Sequence, residues 1–159
     1  KVNAALSTMK AIKEKRPDLI INFGTAGSLK KEISGLVDCK YFVQRDIDTR
    51  PLGTTLGQTP YESDPPKVLE MPDHLINTIN MNLICATGDS FVESEISLKA
   101  DVVDMEAYAI AKVCYLESVP FVCFKYISDF ADDVASLDFE ENVGEASKIF
   151  SKYLKRNSF

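Results

Sequence analysis

Near the start of the chain, Ala5, Met9 and Ile12 recur at helical spacing, with Lys10, Lys13, Glu14 and Lys15 filling the other faces. The pattern predicts an amphipathic helix with one apolar stripe. Arg16-Pro17-Asp18 should end it, because proline disfavours helical geometry in the residue before it. Leu19–Phe23 is then short and mostly apolar, and it runs into Gly24-Thr25-Ala26-Gly27, which reads as a strand followed by a glycine turn. Leu36–Gln44 predicts a second strand, with Arg45-Asp46-Ile47-Asp48 at its end. From Thr49 to Asp73 the rhythm is lost. Pro51, Pro60, Pro65, Pro66 and Pro72, with Gly53 and Gly57, predict a long loop that covers a site or meets a partner.

Order returns with a predicted strand over Asn82–Ala86, ending in Thr87-Gly88-Asp89-Ser90. Asp101–Val103 predicts a brief strand that leads into a helix from Met105 to Glu117, whose alanines, with Ile110, Val113 and Cys114, let it pack closely on a sheet. Pro120–Ile127 is apolar throughout except for Lys125 and predicts a central strand. A last helix is expected from Phe139 to Lys155, capped by Asp138 with Glu141 three residues on. There is no internal repeat. Strands alternating with helices indicate an α/β domain. In an open α/β sheet, strand ends such as Gly24–Gly27, Thr87–Ser90 and Ser128–Asp132 converge on a ligand crevice.

Composition narrows the picture. The chain has 159 residues, 45% hydrophobic and 26% charged, which suits one folded domain over 1–159. A net charge of -6 argues against nucleic acid as the partner, since phosphate neutralisation needs clustered Lys and Arg. No apolar run reaches the ~20 residues of a membrane span, and no signal peptide opens the chain, so a cytoplasmic protein away from membranes is expected. Cys39, Cys85, Cys114 and Cys123 form no C-x-x-C pair and read as reduced core cysteines. A single histidine, His74, excludes a multi-histidine metal site and reads as a surface loop residue.

Four short segments could carry chemistry. Gly24-Thr25-Ala26-Gly27 offers backbone N–H groups and a hydroxyl that could cradle a small ligand, or it is an ordinary tight turn; it lacks the Gly-Lys-Ser/Thr ending of a P-loop. Asp104-Met105-Glu106 sets two carboxylates where a strand meets a helix, suited either to clamping vicinal hydroxyls or to the helix dipole. Asp129 leaves a buried strand end, where desolvation favours a proton-holding general acid, though Ser128-Asp129 also fits a turn cap. Phe91 could face a flat ligand or sit in the core.

Taken in order, Ile21–Gly27, Ala86–Val92, Val103–Ala107 and Ile127–Asp132 resemble the nucleoside phosphorylase/nucleosidase superfamily, and within it the branch of 5′-methylthioadenosine/S-adenosylhomocysteine nucleosidases. The resemblance implies a three-layer α/β/α sandwich around a mixed, twisted, partly barrel-like sheet, a homodimer, no metal and no cofactor. It implies a place in methionine salvage. Lys1–Ala5 is similar to a helix start that follows a glycine-rich turn in that family, so the first strands of the domain are expected to lie outside this sequence, together with a glutamate that activates water.

By the same resemblance Asp129 protonates the purine N7 and Ser128 holds Asp129. Glu106 binds the ribose hydroxyls over Met105, Phe91 stacks on the base and the Val92 backbone reads its amino edge. Thr25 and Gly27 flank the nucleophile, and Phe139 closes over the 5′ substituent. Phosphorylases of the superfamily carry an arginine where this chain has Asn22, which removes the charge and fork that phosphate favours. Hydrolysis is therefore the expected reaction. A purine nucleoside phosphorylase and a non-catalytic nucleoside-binding homologue are the alternatives. A Rossmann cofactor domain is disfavoured by the absence of G-x-G-x-x-G. The loop with Arg45–Asp48 and Gly57–Pro60 resembles that of a subset of nucleosidases, and it is where a dimer partner is expected to reach the site.

Overall fold

Helix α1 (Val2–Lys15) ends where the sequence requires it, at Arg16, whose left-handed backbone (φ 48°) precedes Pro17. It is followed by β1 (Ile20–Ser28) and β2 (Leu36–Gln44), then a 3-10 turn at Arg50–Leu52 and the two-residue β3 (Leu69–Glu70). The remaining elements are β4 (Leu83–Thr87), β5 (Val102–Asp104), α2 (Ala107–Leu116), β6 (Phe121–Asp129) and α3 (Ala135–Arg156). These come from a computed structural model that describes residues 1–62, 67–132 and 135–157, with 135–143 described by their backbone.

The sheet is mixed and closes on itself. β6 runs parallel to β1 from Ile20↔Phe121 to Ala26↔Ile127, and β5 joins β1 antiparallel through Gly27↔Val103 and Ser28↔Val102. β4 is parallel to β5 and β2 is parallel to β4. β2 then returns to β6, antiparallel, through Leu36↔Tyr126 to Cys39↔Cys123. The strands β2, β4, β5, β1 and β6 therefore form a ring, and β3 lies beside the second half of β2, where β6 has left it. Register shifts at Ala26/Gly27 and Cys39/Tyr41 interrupt the regular pairing of β1 with β6 and of β2 with β4, the kind of irregularity that increases local twist.

The layers follow from side-chain alternation. On the even face of β6, Phe124 packs with Phe150 and Tyr153 of α3, and Phe23 of β1 stacks on Phe150 at 4.0 Å. The other side carries α1 and α2, which pack on each other. Ala107, Ala111 and Cys114 of α2 are wholly buried, which is the close approach their small size permits. The result is the α/β/α sandwich around a twisted mixed sheet that the resemblance implied.

Three sequence expectations are corrected. Gly24–Gly27 is strand and not a turn, because β1 keeps its pairing with β6 through Ala26 and meets β5 at Gly27. The sheet is a ring and not an open sheet, so the crevice rule for open sheets does not apply; β1 and β5 run in opposite directions and cross at the site. Finally, α3 starts at Ala135, which places Asp138 inside its first turn and not at its cap. An acidic residue suits either position, so the pattern alone does not separate them.

Candidate active site

A cavity of about 390 Å³ opens where these strands cross. It is lined by Thr25, Ala26 and Gly27 of β1, by Ser90, Phe91 and Val92 after β4, by Val103–Glu106 at the end of β5, and by Ser128 and Asp129 at the end of β6. The four segments singled out in the sequence are thus brought to one place. Thr25, Gly27, Phe91, Val92, Met105, Glu106, Ser128 and Asp129 all line it. Phe139 lies in α3, and its side chain is outside the described residues. His74 is in a loop away from the cavity, where its Nδ1 accepts the Ile76 N–H at 3.3 Å.

Asp129 is the last residue of β6 and is 5% exposed. Ser128 Oγ donates to its Oδ2 at 2.8 Å and the Ala131 N–H donates to its Oδ1 at 3.0 Å. Ala131 achieves this from a left-handed backbone (φ 50°), a conformation that non-glycine residues seldom adopt and that tends to accompany functional sites. Gly27 makes the space: a Cβ there would meet Asp129 Oδ1 at 2.5 Å and Val103 Cγ2 at 3.2 Å.

The two carboxylates of Asp104-Met105-Glu106 have separate duties. Glu106 and Met105 are exposed at the cavity, whereas Asp104 is 7% exposed. Asp104 accepts Lys125 Nζ at 2.7 Å, Thr87 Oγ1 at 2.5 Å, and the N–H groups of Glu106 and Ala107 at 3.2 and 2.8 Å. Asp104 takes the helix-start place, satisfying the open N–H groups at the start of α2, and Glu106 faces the cavity. Burial alone would raise the Asp104 carboxyl, but the Lys125 charge and its hydrogen bond hold it below the ordinary value. Burial alone would likewise lower Lys125, and Asp104 overcomes it and raises the ammonium. The pair is charged and internally neutralised.

Thr87 and Lys125 are the residues that sequence reasoning missed. Thr87 is wholly buried, donates to Asp104 and accepts the Tyr108 N–H at 2.9 Å, so it ties β4 to both β5 and α2. Lys125 was visible only as the one charge in an apolar strand; its partner lies across the ring, beyond the reach of local pattern. The four cysteines are free and buried. Cys39 is held well above its ordinary value by hydrogen bonding with Cys123 and Cys85 and by burial, and burial pushes Cys114 up to about 12, so both are unreactive thiols. Among the described residues no group of His, Cys, Asp and Glu is arranged to hold a metal ion.

Comparison with known proteins agrees with this architecture. Residues 1–156 match the Phosphorylase superfamily. The chain is 36% identical to the 5′-methylthioadenosine/S-adenosylhomocysteine nucleosidase of Staphylococcus haemolyticus, over 98% of this chain and 75% of that protein. Its fold is similar to that of the futalosine hydrolase of Helicobacter pylori, with a TM-score of 0.87 and 28% identity over 99% of this chain and 74% of the other. It is equally similar (TM-score 0.87, 29% identity, 99% and 75% covered) to the Helicobacter pylori 5′-methylthioadenosine/S-adenosylhomocysteine nucleosidase complexed with an aminopyrrolopyrimidine that is joined to a thioether-bearing pyrrolidinol. Sequence and fold together make the chain a member of the Phosphorylase superfamily.

Proposed function

We propose that the protein is a nucleosidase that hydrolyses the N-glycosidic bond of 5′-methylthioadenosine, S-adenosylhomocysteine or a related adenosine and releases adenine. The observation that carries this reading is the charge of the cavity. Asp129 and Glu106 line it, and among the described residues no Lys or Arg does. The nearest buried cation, Lys125, is neutralised by Asp104. Such a wall suits a sugar that becomes oxocarbenium-like and repels a phosphate dianion, so water is the nucleophile. Asn22, where phosphorylases of the superfamily have an arginine, accepts Cys123 Sγ at 3.4 Å and adds no charge.

In this mechanism the purine lies on Phe91, and the Val92 backbone reads its amino edge. Asp129, oriented by Ser128 and by the Ala131 N–H, gives its proton to N7 as the bond to the sugar breaks and its electrons pass to the base. Glu106 accepts hydrogen bonds from the ribose hydroxyls and favours the developing positive charge, with Met105 beneath the ring. Water attacks C1′ along the wall formed by Thr25 and Gly27, and the proton it sheds passes through solvent to the Asp129 carboxylate, which restores the acid. Relatives named for 5′-methylthioadenosine and S-adenosylhomocysteine share the fold, and the compound bound in one of them pairs an aminopurine-like ring with a thioether, which supports a 5′-thio substituent.

The same reading makes the protein a cytoplasmic homodimer in methionine salvage. Four free, buried thiols suit a reducing compartment. The test is adenine release from 5′-methylthioadenosine in phosphate-free buffer. Release without phosphate is expected; strictly phosphate-dependent release would establish a phosphorylase, and binding without release a non-catalytic homologue.

A further inference from the structure

Arg45-Asp46 has no part in the chemistry above, yet both side chains are committed to one short turn. The Arg45 N–H donates to the Thr87 carbonyl at 2.9 Å and continues the β2–β4 pairing past Gln44. The guanidinium then lies across Gly88, where a Cβ would sit 2.6 Å from Arg45 Cζ and 2.7 Å from Nε. From there Arg45 Nη2 donates to the Ser90 carbonyl, and Nη1 donates to Ser90 Oγ at 3.2 Å. Asp46 Oδ2 accepts the Asp89 N–H at 2.7 Å, while its Oδ1 takes Lys1 Nζ at 2.6 Å. The Gly88 N–H donates to the Asp104 carbonyl at 3.1 Å. Each residue of the turn Gly88-Asp89-Ser90 is therefore fixed, and Phe91 and Val92 follow it directly. Arg45 Nε is buried with no acceptor, a cost that an arginine on open surface avoids and that the contact with Gly88 imposes.

We infer that Arg45 and Asp46 are positioning residues for the purine: by clamping Gly88–Ser90 they set the place of the Phe91 ring and the Val92 backbone. The inference rests on the nucleosidase reading of the cavity and adds to it the residues that hold the base-reading segment. Phe91 is 45% exposed, so the backbone that carries it contributes to where its ring lies. The sugar side has further anchors of its own besides the Gly88 bond to the Asp104 carbonyl, since Asp104 Oδ2 holds the N–H groups of Glu106 and Ala107 at the start of α2. Loss of the clamp is therefore expected to affect the base and spare the sugar.

The experiment measures inhibition by the two products separately, adenine for the base half and methylthioribose for the sugar half, alongside the melting temperature. Arg45→Ala is expected to weaken adenine inhibition about tenfold while methylthioribose inhibition stays within about twofold. Gly88→Ala, which removes no hydrogen-bonding side chain but displaces the guanidinium, should do the same. Arg45→Lys should not rescue, because a single ammonium cannot replace the fork. Should Arg45→Ala fail to fold, Gly88→Ala decides by the same criterion. Unchanged adenine inhibition in folded variants, or equal weakening toward both products, overturns the clamp alone. A wild-type protein that binds neither product overturns the nucleosidase reading and the clamp with it.

Discussion

Asp104 and Asp129 each end a buried strand beside the same cavity, and they are almost equally hidden from water, at 7% and 5% exposure. Their partners differ. Asp104 has a lysine, a hydroxyl and two backbone N–H groups; Asp129 has one hydroxyl and one N–H, and among the described residues no cation. The comparison teaches that burial alone does not make a carboxylate chemical. A cation at hydrogen-bond distance commits Asp104 to holding the fold, because moving a proton there would leave Lys125 as an uncompensated buried charge. Asp129 carries no such obligation and opens onto the cavity, so it can exchange a proton with a ligand.

Exchanging the acid for its isostere is the strongest way to break this comparison. Asp129→Asn keeps the shape and loses the proton, and the rate of adenine release is expected to fall about a thousandfold, within the range for a lost general acid. The melting temperature should hardly move. A loss of less than about tenfold would mean that Asp129 is as structural as Asp104.

The mirror experiment acts on the other carboxylate. Lys125→Met leaves Asp104 buried without its cation, and urea denaturation is expected to show a loss of about 3 kcal/mol. The double variant Asp104→Asn with Lys125→Met should recover part of that loss, because no charge is then stranded. If the single variant is as stable as wild type, the pair does not tie β5 to β6 across β1.

These two residues also mark how far the sequence could be read. The order of the four strand-end segments was enough to identify Asp129, Glu106, Phe91 and their neighbours as candidates, because each lies in a short segment with its own local pattern. Lys125 and Thr87 were not legible, since Asp104, their shared partner, is distant in sequence and reaches them only through the pairing of β5 with β4 and with β1, which carries β6 on its other side. Gly24–Gly27 was misread for the same reason. Glycine in isolation suggests a turn, and only the pairing of β1 with β6 and β5 keeps it extended. Helix positions were read well wherever a stripe of apolar residues exists, as in α1, and less well at the start of α3, where Asp138 suits a cap and a first turn equally.

The pH dependence of stability sharpens the comparison further. The Asp104 carboxyl lies below its ordinary value of 3.8 because Lys125 outweighs burial. A depressed carboxyl contributes stability that is present above 3.8 and is lost as the pH falls through the lower, folded-state value. Asp46, which burial would raise but Lys1 and the Asp89 N–H lower, adds to the same acid limb. At the alkaline end the raised Lys125 works the other way: its contribution is complete below 10.5 and fades as the pH rises through its higher folded value. Between these limits the pair's contribution should be flat. In Lys125→Met the Asp104 part of the acid limb should reverse, since a buried carboxyl without a cation is better accommodated when protonated. Denaturation series at acid pH on both proteins check this.

The smallest expected effect separates two glycines of one motif. A Cβ at Gly27 would collide with Asp129 Oδ1 at 2.5 Å, and Val103 and Ala131 at 3.2 and 3.3 Å leave the carboxylate little room to retreat. Gly27→Ala should therefore cost activity about tenfold, by shifting the acid and not by removing it. At Gly24 the added methyl would meet only Lys125 Nζ at 3.4 Å, an ordinary contact, and the backbone is extended and open to any residue. Gly24→Ala should leave activity intact and change stability by no more than about 1 kcal/mol, with the reduced freedom of the unfolded chain acting in its favour. If Gly24→Ala proved the more damaging of the two, Lys125 and not Asp129 would be the side chain whose position the reaction depends on, and the division of labour between the two carboxylates would have to be reversed.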